Sequence, residues 1–171
     1  LCSTGVIGKL PDIEKLKEGL SKAVSEKLTE ENLRKVSRAM LTTDLIEKVC
    51  TKEIKIDGKL CTITGLAKGS GMIHPNMATM LAYIMTDISV SKKILETALT
   101  HAVNYSFNCL TVDGDTSTSD MCVALANGAA ANSEITEELK DFKVFLSAVT
   151  EVCTDLARKI ARDGEGATKL V

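Results

Sequence analysis

The chain has 171 residues, 44% hydrophobic and 3% aromatic, with a formal net charge of −2. That length holds about one core-bearing domain, built from Leu, Ile, Val, Ala and Met because aromatics are scarce. Balanced charge without a basic block excludes a dedicated nucleic-acid surface, and no apolar run reaches the roughly 18 residues of a membrane span.

The chain opens apolar, without Met, at "LCSTGVIGKLP", and no signal peptide is read there. Pro11-Asp12 starts a helical pattern in which Ile13, Leu16, Leu20, Ala23 and Val24 recur at spacings of three and four. Thr29 is the expected N-cap of a second helix, "LTEENLRKVSRAML", with Glu30 and Glu31 at its positive start and Leu33, Val36 and Met40 as its stripe. "TTD" at 42–44 breaks that pattern. "EIKIDGKLCTITG" alternates about Asp57-Gly58, the residue pair of a tight hairpin turn. "TMLAYIMTD" at 79–87 reads as a buried strand. Ser91 is expected to cap a long helix carrying Ile94, Leu95, Ala98, Leu99, Ala102, Val103 and Phe107 on one face. A turn-rich loop, "CLTVDGDTSTSD", precedes a second buried strand, "MCVALANG", which Asn127-Gly128 ends. The last helix is expected over roughly residues 135–162, with Phe142, Phe145, Leu146, Val149, Val152, Cys153, Leu156 and Ile160 inward. "RDGEGATKLV" then reads as a Gly-rich turn entering a strand. Helices and strands mix without a strict βαβ rhythm, which predicts a layered α/β domain of α+β type. Both ends read as cuts through a larger protein.

Six cysteines, Cys2, Cys50, Cys61, Cys109, Cys122 and Cys153, form no CxxC pair, and no His stands at zinc-like spacing. They read as free thiols of a reducing cytoplasm, with no metal site. "GLAKGSGM" fails the phosphate-loop spacing, because Gly69 follows Lys68. Its glycines permit close backbone approach, and Lys68 offers a point charge suited to a carboxylate; an ordinary loop lysine is the plainer reading. "DGDTSTSD" fails as a calcium loop, since Thr118 and Ala124 stand at its sixth and twelfth positions; Asp113-Gly114 reads as a turn. His74 and His101 stand alone and read as structural or exposed. In "CSTGVIG", Thr4-Gly5 can offer a hydroxyl and a backbone N–H to an oxyanion, a weak signal in isolation.

"MIHPNMATML" carries the sharpest chemical possibility. A threonine hydroxyl is a poor nucleophile until a base sits beside it, and an N-terminal threonine supplies its own α-amine. Cutting before Thr79 would create that amine: the hydroxyl attacks the preceding carbonyl, and water releases the ester. A small residue in a strained turn, Ala78 behind "HPN", suits that reaction. A threonine merely opening a strand is the plain alternative.

In order along the chain, "CSTGVIG", "TTD", "AKGSGMIHPNMATML", "VDGDTSTSD" and "RDGEGATK" closely resemble the ornithine acetyltransferase family, also called glutamate N-acetyltransferase, over nearly the whole length. The resemblance implies a precursor that cuts itself between Ala78 and Thr79, so that 1–78 ends an α-chain portion and 79–171 begins a β-chain portion. It implies a four-layer αββα arrangement like that of N-terminal-nucleophile hydrolases, with different connectivity. The implied activity is ping-pong transfer of acetyl from N-acetylornithine to glutamate through Thr79, in cytoplasmic arginine synthesis, with no cofactor; some members also accept acetyl-coenzyme A. By the same resemblance Thr4 and Gly5 match the oxyanion pair. Thr42 and Lys68 match substrate contacts, and Glu165 matches the group that holds the substrate's amino end. The implied partners are the other processed chain and further copies in an oligomer, with no nucleic acid and no membrane.

The chain departs from the family in two respects. Ser119 stands where the family usually has Asn, and a C-terminal portion with further substrate-binding residues, an Asn and a Ser or Thr, has no counterpart. The alternatives are a related self-processing aminopeptidase or amidohydrolase, with water as acceptor, and an inactive fragment.

Overall fold

The structure, a computed structural model, describes residues 2–4, 6, 8–26, 29–74 and 80–169. The expected Asp57-Gly58 turn is present. Both residues adopt positive φ, 50° and 72°, the conformation that lets a two-residue loop follow the right-handed twist of its strands. It joins β1 (Lys48–Ile56) to β2 (Lys59–Lys68) in an antiparallel hairpin with Ile56 opposite Lys59. β3 (Leu81–Thr86) adds antiparallel to β2, with Lys68 opposite Leu81. β4 (Met121–Ala126) lies parallel to β3, so the chain crosses over between them through α3 (Lys92–Asn104). The result is one four-stranded mixed sheet in the order β1-β2-β3-β4, and the α/β expectation is met.

The strand period of two decides which side chains meet the helices. Gly65 points at α4 (Lys140–Arg162): a Cβ there would stand 2.7 Å from Leu156 Cδ1 and 2.7 Å from Val152 Cγ1. Cys61, Ile63 and Ala67 share that face, joined by Ala82 and Ile84 from β3, and all are buried. The stripe of α4 anticipated from the sequence covers them, with Phe145, Val149, Val152, Cys153, Leu156 and Ile160 at most 2% exposed. Ile94, Ala98, Ala102 and Val103 of α3 close the same core.

The opposite face is covered thinly. α1 (Ile13–Ser25) buries no residue, and α2 (Glu30–Ala39) buries only Ser37. Between α2 and the sheet lies a cleft of about 800 Å³ lined by Leu33, Val36, Met40, Leu66, Tyr83 and Met85. Among the described residues there is no second sheet to stack there.

Several boundaries differ from the sequence reading. α4 begins at Lys140 rather than near 135, because Ile135 instead bridges to Val90 and its N–H bonds the carbonyl of Ser89. Ser91 occupies the N-cap of α3 without a side-chain capping bond, whereas the Thr29 hydroxyl caps α2 through Asn32 N–H at 3.1 Å. Phe107 leaves the α3 face and starts a short 3₁₀ turn, Phe107–Cys109. Residues 167–169 form no strand.

All six cysteines are free, with Cys61 and Cys153 buried and Cys109 exposed. His101 lies on α3 with its ring 4.5 Å from that of Tyr105, and His74 contacts the Thr111 hydroxyl at 3.4 Å. No described helix is long and apolar enough to cross a membrane, and no three His, Cys, Asp or Glu side chains among the described residues could hold a metal together.

Candidate active site

The ends of β2 and α4, the 42–47 turn and the 113–119 loop converge on one polar cavity of about 450 Å³. Its lining includes Thr4, Thr42, Lys68 and Glu165, four residues singled out in the sequence and drawn from segments up to 161 positions apart in the chain (165 − 4). Gly5, Ala78 and Thr79 lie outside the described residues. After Ala78 and Thr79 the first described residue is Met80, which is 2% exposed. Met80 is fixed from both sides: its N–H donates to Asp120 Oδ1 at 2.9 Å, and its carbonyl accepts Met121 N–H at 3.1 Å. The β2–β3 register places Lys68 opposite Leu81, two positions after Thr79 in the chain.

Lys68 is 1% exposed and makes no ion pair among the described residues. Burial pushes its pKa down, because a low-dielectric wall penalises the ammonium; the Asp44 and Asp120 carboxylates oppose that shift, and the Lys48 ammonium adds to it. Burial likewise pushes Asp120 up, against the Met80 N–H bond and the Lys68 charge. An unpaired, desolvated cation facing a cavity is costly for the fold and well suited to an anionic ligand group.

Glu165 is placed by a close approach. Its N–H donates to the Ser70 carbonyl at 2.7 Å, and its carboxylate lies over Gly71, where a Cβ would come within 2.6 Å of Glu165 Cδ and Oε2. The second glycine of "GSG" is therefore the space that Glu165 occupies. Replacing Gly71 by Ala is expected to displace the carboxylate into solvent, since the flexible glutamate yields before the backbone does. The full-length protein should then show a KM for an amine-bearing substrate raised about tenfold or more, with a nearly unchanged unfolding midpoint. Steady-state kinetics and a urea melt measure both.

Three features of the site were not anticipated. First, a buried ion cluster braces its floor. Lys48 Nζ donates to Asp44 Oδ1 and Asp163 Oδ2, each at 2.6 Å, and to the Ile46 carbonyl at 3.3 Å; the side chains of Lys48 and Asp44 are fully buried and that of Asp163 is 4% exposed. Asp163 Oδ2 also accepts the N–H groups of Leu45 at 3.0 Å and Ile46 at 3.4 Å, and Asp44 accepts Gly69 N–H at 2.6 Å and Thr42 N–H at 3.3 Å. Burial works against ionisation of Asp44, but the Lys48 ammonium and the two N–H groups outweigh it and hold its pKa below the usual carboxylate range. The cluster thus fastens the 42–47 turn, the end of β2 and the end of α4 to one another. Second, Asp113 accepts the N–H groups of Met72 and Ile73, which ties the acidic loop to the glycine-rich one; Met72 takes a left-handed φ of 54° there. Third, the Thr43 and Ser70 hydroxyls pair at 2.7 Å across the cavity wall. The acids of "TTD" and "RDGEG" are visible in the sequence, but Asp44 lies in a turn and Asp163 at the end of α4, and the lysine they share, Lys48, opens β1.

The pattern of the ArgJ family matches residues 1–171, the whole chain. The chain belongs to the ArgJ family. It is 50% identical over 171 residues to the arginine biosynthesis bifunctional protein ArgJ of Bacillus cereus strain ZK/E33L, and 49% identical to that of Geobacillus stearothermophilus. Each match covers 100% of this chain and 42% of the relative, so the chain spans about two fifths of the curated relatives it matches. A crystal structure of arginine biosynthesis bifunctional protein ArgJ from Bacillus halodurans aligns with a TM-score of 0.49 and 48% identity, over 51% of this chain and 41% of that one. In this ArgJ-family chain the four described motif residues share one cavity, and the ion cluster fastens the segments that carry Thr42, Lys68 and Glu165.

Proposed function

We propose that this chain carries part of the active site of a glutamate N-acetyltransferase that moves acetyl from N-acetylornithine to glutamate through Thr79. The observation that carries the reading is the shared cavity. A buried, unpaired cation, Lys68, and a carboxylate, Glu165, line one polar space together with Thr4 and Thr42. An N-acetylated amino acid bears a carboxylate and, as ornithine, an ammonium, so one ligand can satisfy both side chains. Fixing it at both ends orients the acetyl group and removes most of its rotational freedom before reaction.

The chemistry proceeds in two stages. In the first, Thr79 Oγ attacks the Ala78 carbonyl carbon, the Ala78–Thr79 C–N bond breaks, and an ester and a free α-amine form; water then cleaves the ester. In the second, that amine takes the hydroxyl proton as Thr79 Oγ attacks the acetyl carbonyl of N-acetylornithine, and the proton passes to the departing ornithine amine. Glutamate's amine then attacks the acetyl ester and restores the hydroxyl. The Thr4 hydroxyl and Gly5 N–H stabilise the oxyanion of each tetrahedral intermediate, each donor contributing about 3 kcal/mol. No step needs a cofactor, and acetyl-coenzyme A would serve only as another acetyl donor. The two processed portions remain partners in a cytoplasmic oligomer.

The test is acceptor dependence. Full-length protein given N-acetylornithine should release ornithine continuously only when glutamate is present, with N-acetylglutamate formed in equal amount. Steady release of acetate without glutamate would instead make it a hydrolase.

A further inference from the structure

The cluster beneath the cavity has an uneven charge arrangement. Lys48 spends all three of its N–H donors on Asp44, Asp163 and the Ile46 carbonyl. Lys68, equally buried, has no such partners among the described residues. The four buried groups Lys48, Lys68, Asp44 and Asp163 are neutral as a set when all are ionised. Of the two acids, Asp44 is the one anchored at the end of β2, because it accepts the N–H of Gly69, the residue after Lys68. Thr42 N–H and Lys48 hold the same carboxylate in place, and its ion pair is with Lys48, not Lys68.

We infer that Asp44 is a positioning residue that acts through Lys68: held by Lys48 and by the N–H groups of Gly69 and Thr42, its fixed charge keeps the Lys68 ammonium ionised while leaving that ammonium's donors open to a substrate carboxylate. The inference rests on the reading of Lys68 as the carboxylate-binding cation. Without a fixed anion, a lysine this buried would release its proton as the pH rises and would bind a carboxylate only as a neutral amine. The charged groups that face Lys68 are Asp44 from the 42–47 turn, Lys48 from β1 and Asp120 from the segment before β4, with Asp113, Asp115 and Glu165 on the cavity wall. Asp44 and Asp120 favour the charged form, and Lys48 disfavours it.

The experiment is the pH dependence of KM for glutamate in the full-length protein, between about pH 7 and 10, for D44N and K48M. The substrate's own amine titration is common to every variant and cancels in the comparison. Removing the Asp44 charge should bring the alkaline rise in KM to lower pH, by on the order of one pH unit. Removing the Lys48 charge should move the same rise to higher pH. Loosening of the fold would move both variants the same way, because the two substitutions break one ion pair. Shifts of opposite sign are the expected result; shifts of the same sign, or none, overturn the inference. If K48M fails to fold, the sign of the D44N shift still decides, because loosening the fold would hydrate Lys68 and move the rise to higher pH; if D44N fails to fold, D44S takes its place. K68M separates the premise from the inference. An unchanged KM in K68M overturns the reading of Lys68 itself, whereas a raised KM in K68M with no opposed shifts overturns only the role of Asp44.

Discussion

Replacing Thr79 by Ala is expected to leave the Ala78–Thr79 bond intact and to lower acetyl transfer by roughly four orders of magnitude or more. One atom is responsible for both effects. Without Oγ there is no N-to-O acyl shift, so the chain stays whole and no α-amine is released. Without Oγ there is also no acceptor for the acetyl group, and any residual rate would come from binding and the oxyanion donors alone. Serine at the same position keeps the hydroxyl and should retain partial cleavage and partial transfer. A denaturing gel and a coupled N-acetylglutamate assay on the same preparation read the two effects together. If the alanine variant still cut itself, the hydroxyl would not be the attacking group.

Replacing Lys68 by Met should act in opposite directions on stability and on binding. Methionine fills a similar volume and has no charge to desolvate, so the fold should be more stable near neutral pH, where burial disfavours the Lys68 ammonium. Burial lowers the Lys68 pKa in the folded state. Its cost to stability is therefore full below that depressed value and disappears as pH rises past the ordinary lysine value of 10.5. The advantage of the methionine variant should accordingly be largest near neutral pH and shrink toward pH 10.5. Substrate binding should fall by roughly 30-fold to 1,000-fold, the consequence of removing the partner of a buried carboxylate. Thermal melts across pH, with KM beside them, test both signs. A variant that is less stable at neutral pH would overturn the reading of Lys68 as a cation whose burial costs the fold stability.

The sequence was most informative where one local rule decides the structure. Asp57-Gly58 needs only its own positive φ values, and the α4 stripe needs only its period. The start of α4 was misplaced because Ile135 is drawn into a bridge with Val90, a partner 45 positions away (135 − 90) that no local pattern reveals. The site divides in the same way. Thr4, Thr42, Lys68 and Glu165 stand in recognisable motifs and line one cavity. The Lys48 cluster is not legible because the alternation is read only from Glu53, which leaves Lys48 outside any expected element, and only the fold brings Asp163 to it beside Asp44. The glycines of "GLAKGSGM" read as permitting close approach, but the group that approaches Gly71, the Glu165 carboxylate, comes from 94 positions away (165 − 71).

Thr79 is expected to become an N-terminal residue and to carry the acetyl group. Full-length protein should be mixed with N-acetylornithine, quenched in acid and weighed under denaturing conditions, with and without a glutamate chase. The expected spectrum contains a fragment beginning at Thr79 that is heavier by one acetyl group, and that added mass should vanish when glutamate is supplied. An uncut chain, or a Thr79 fragment of unchanged mass in the sample without glutamate from a preparation that forms N-acetylglutamate once glutamate is added, would contradict that expectation.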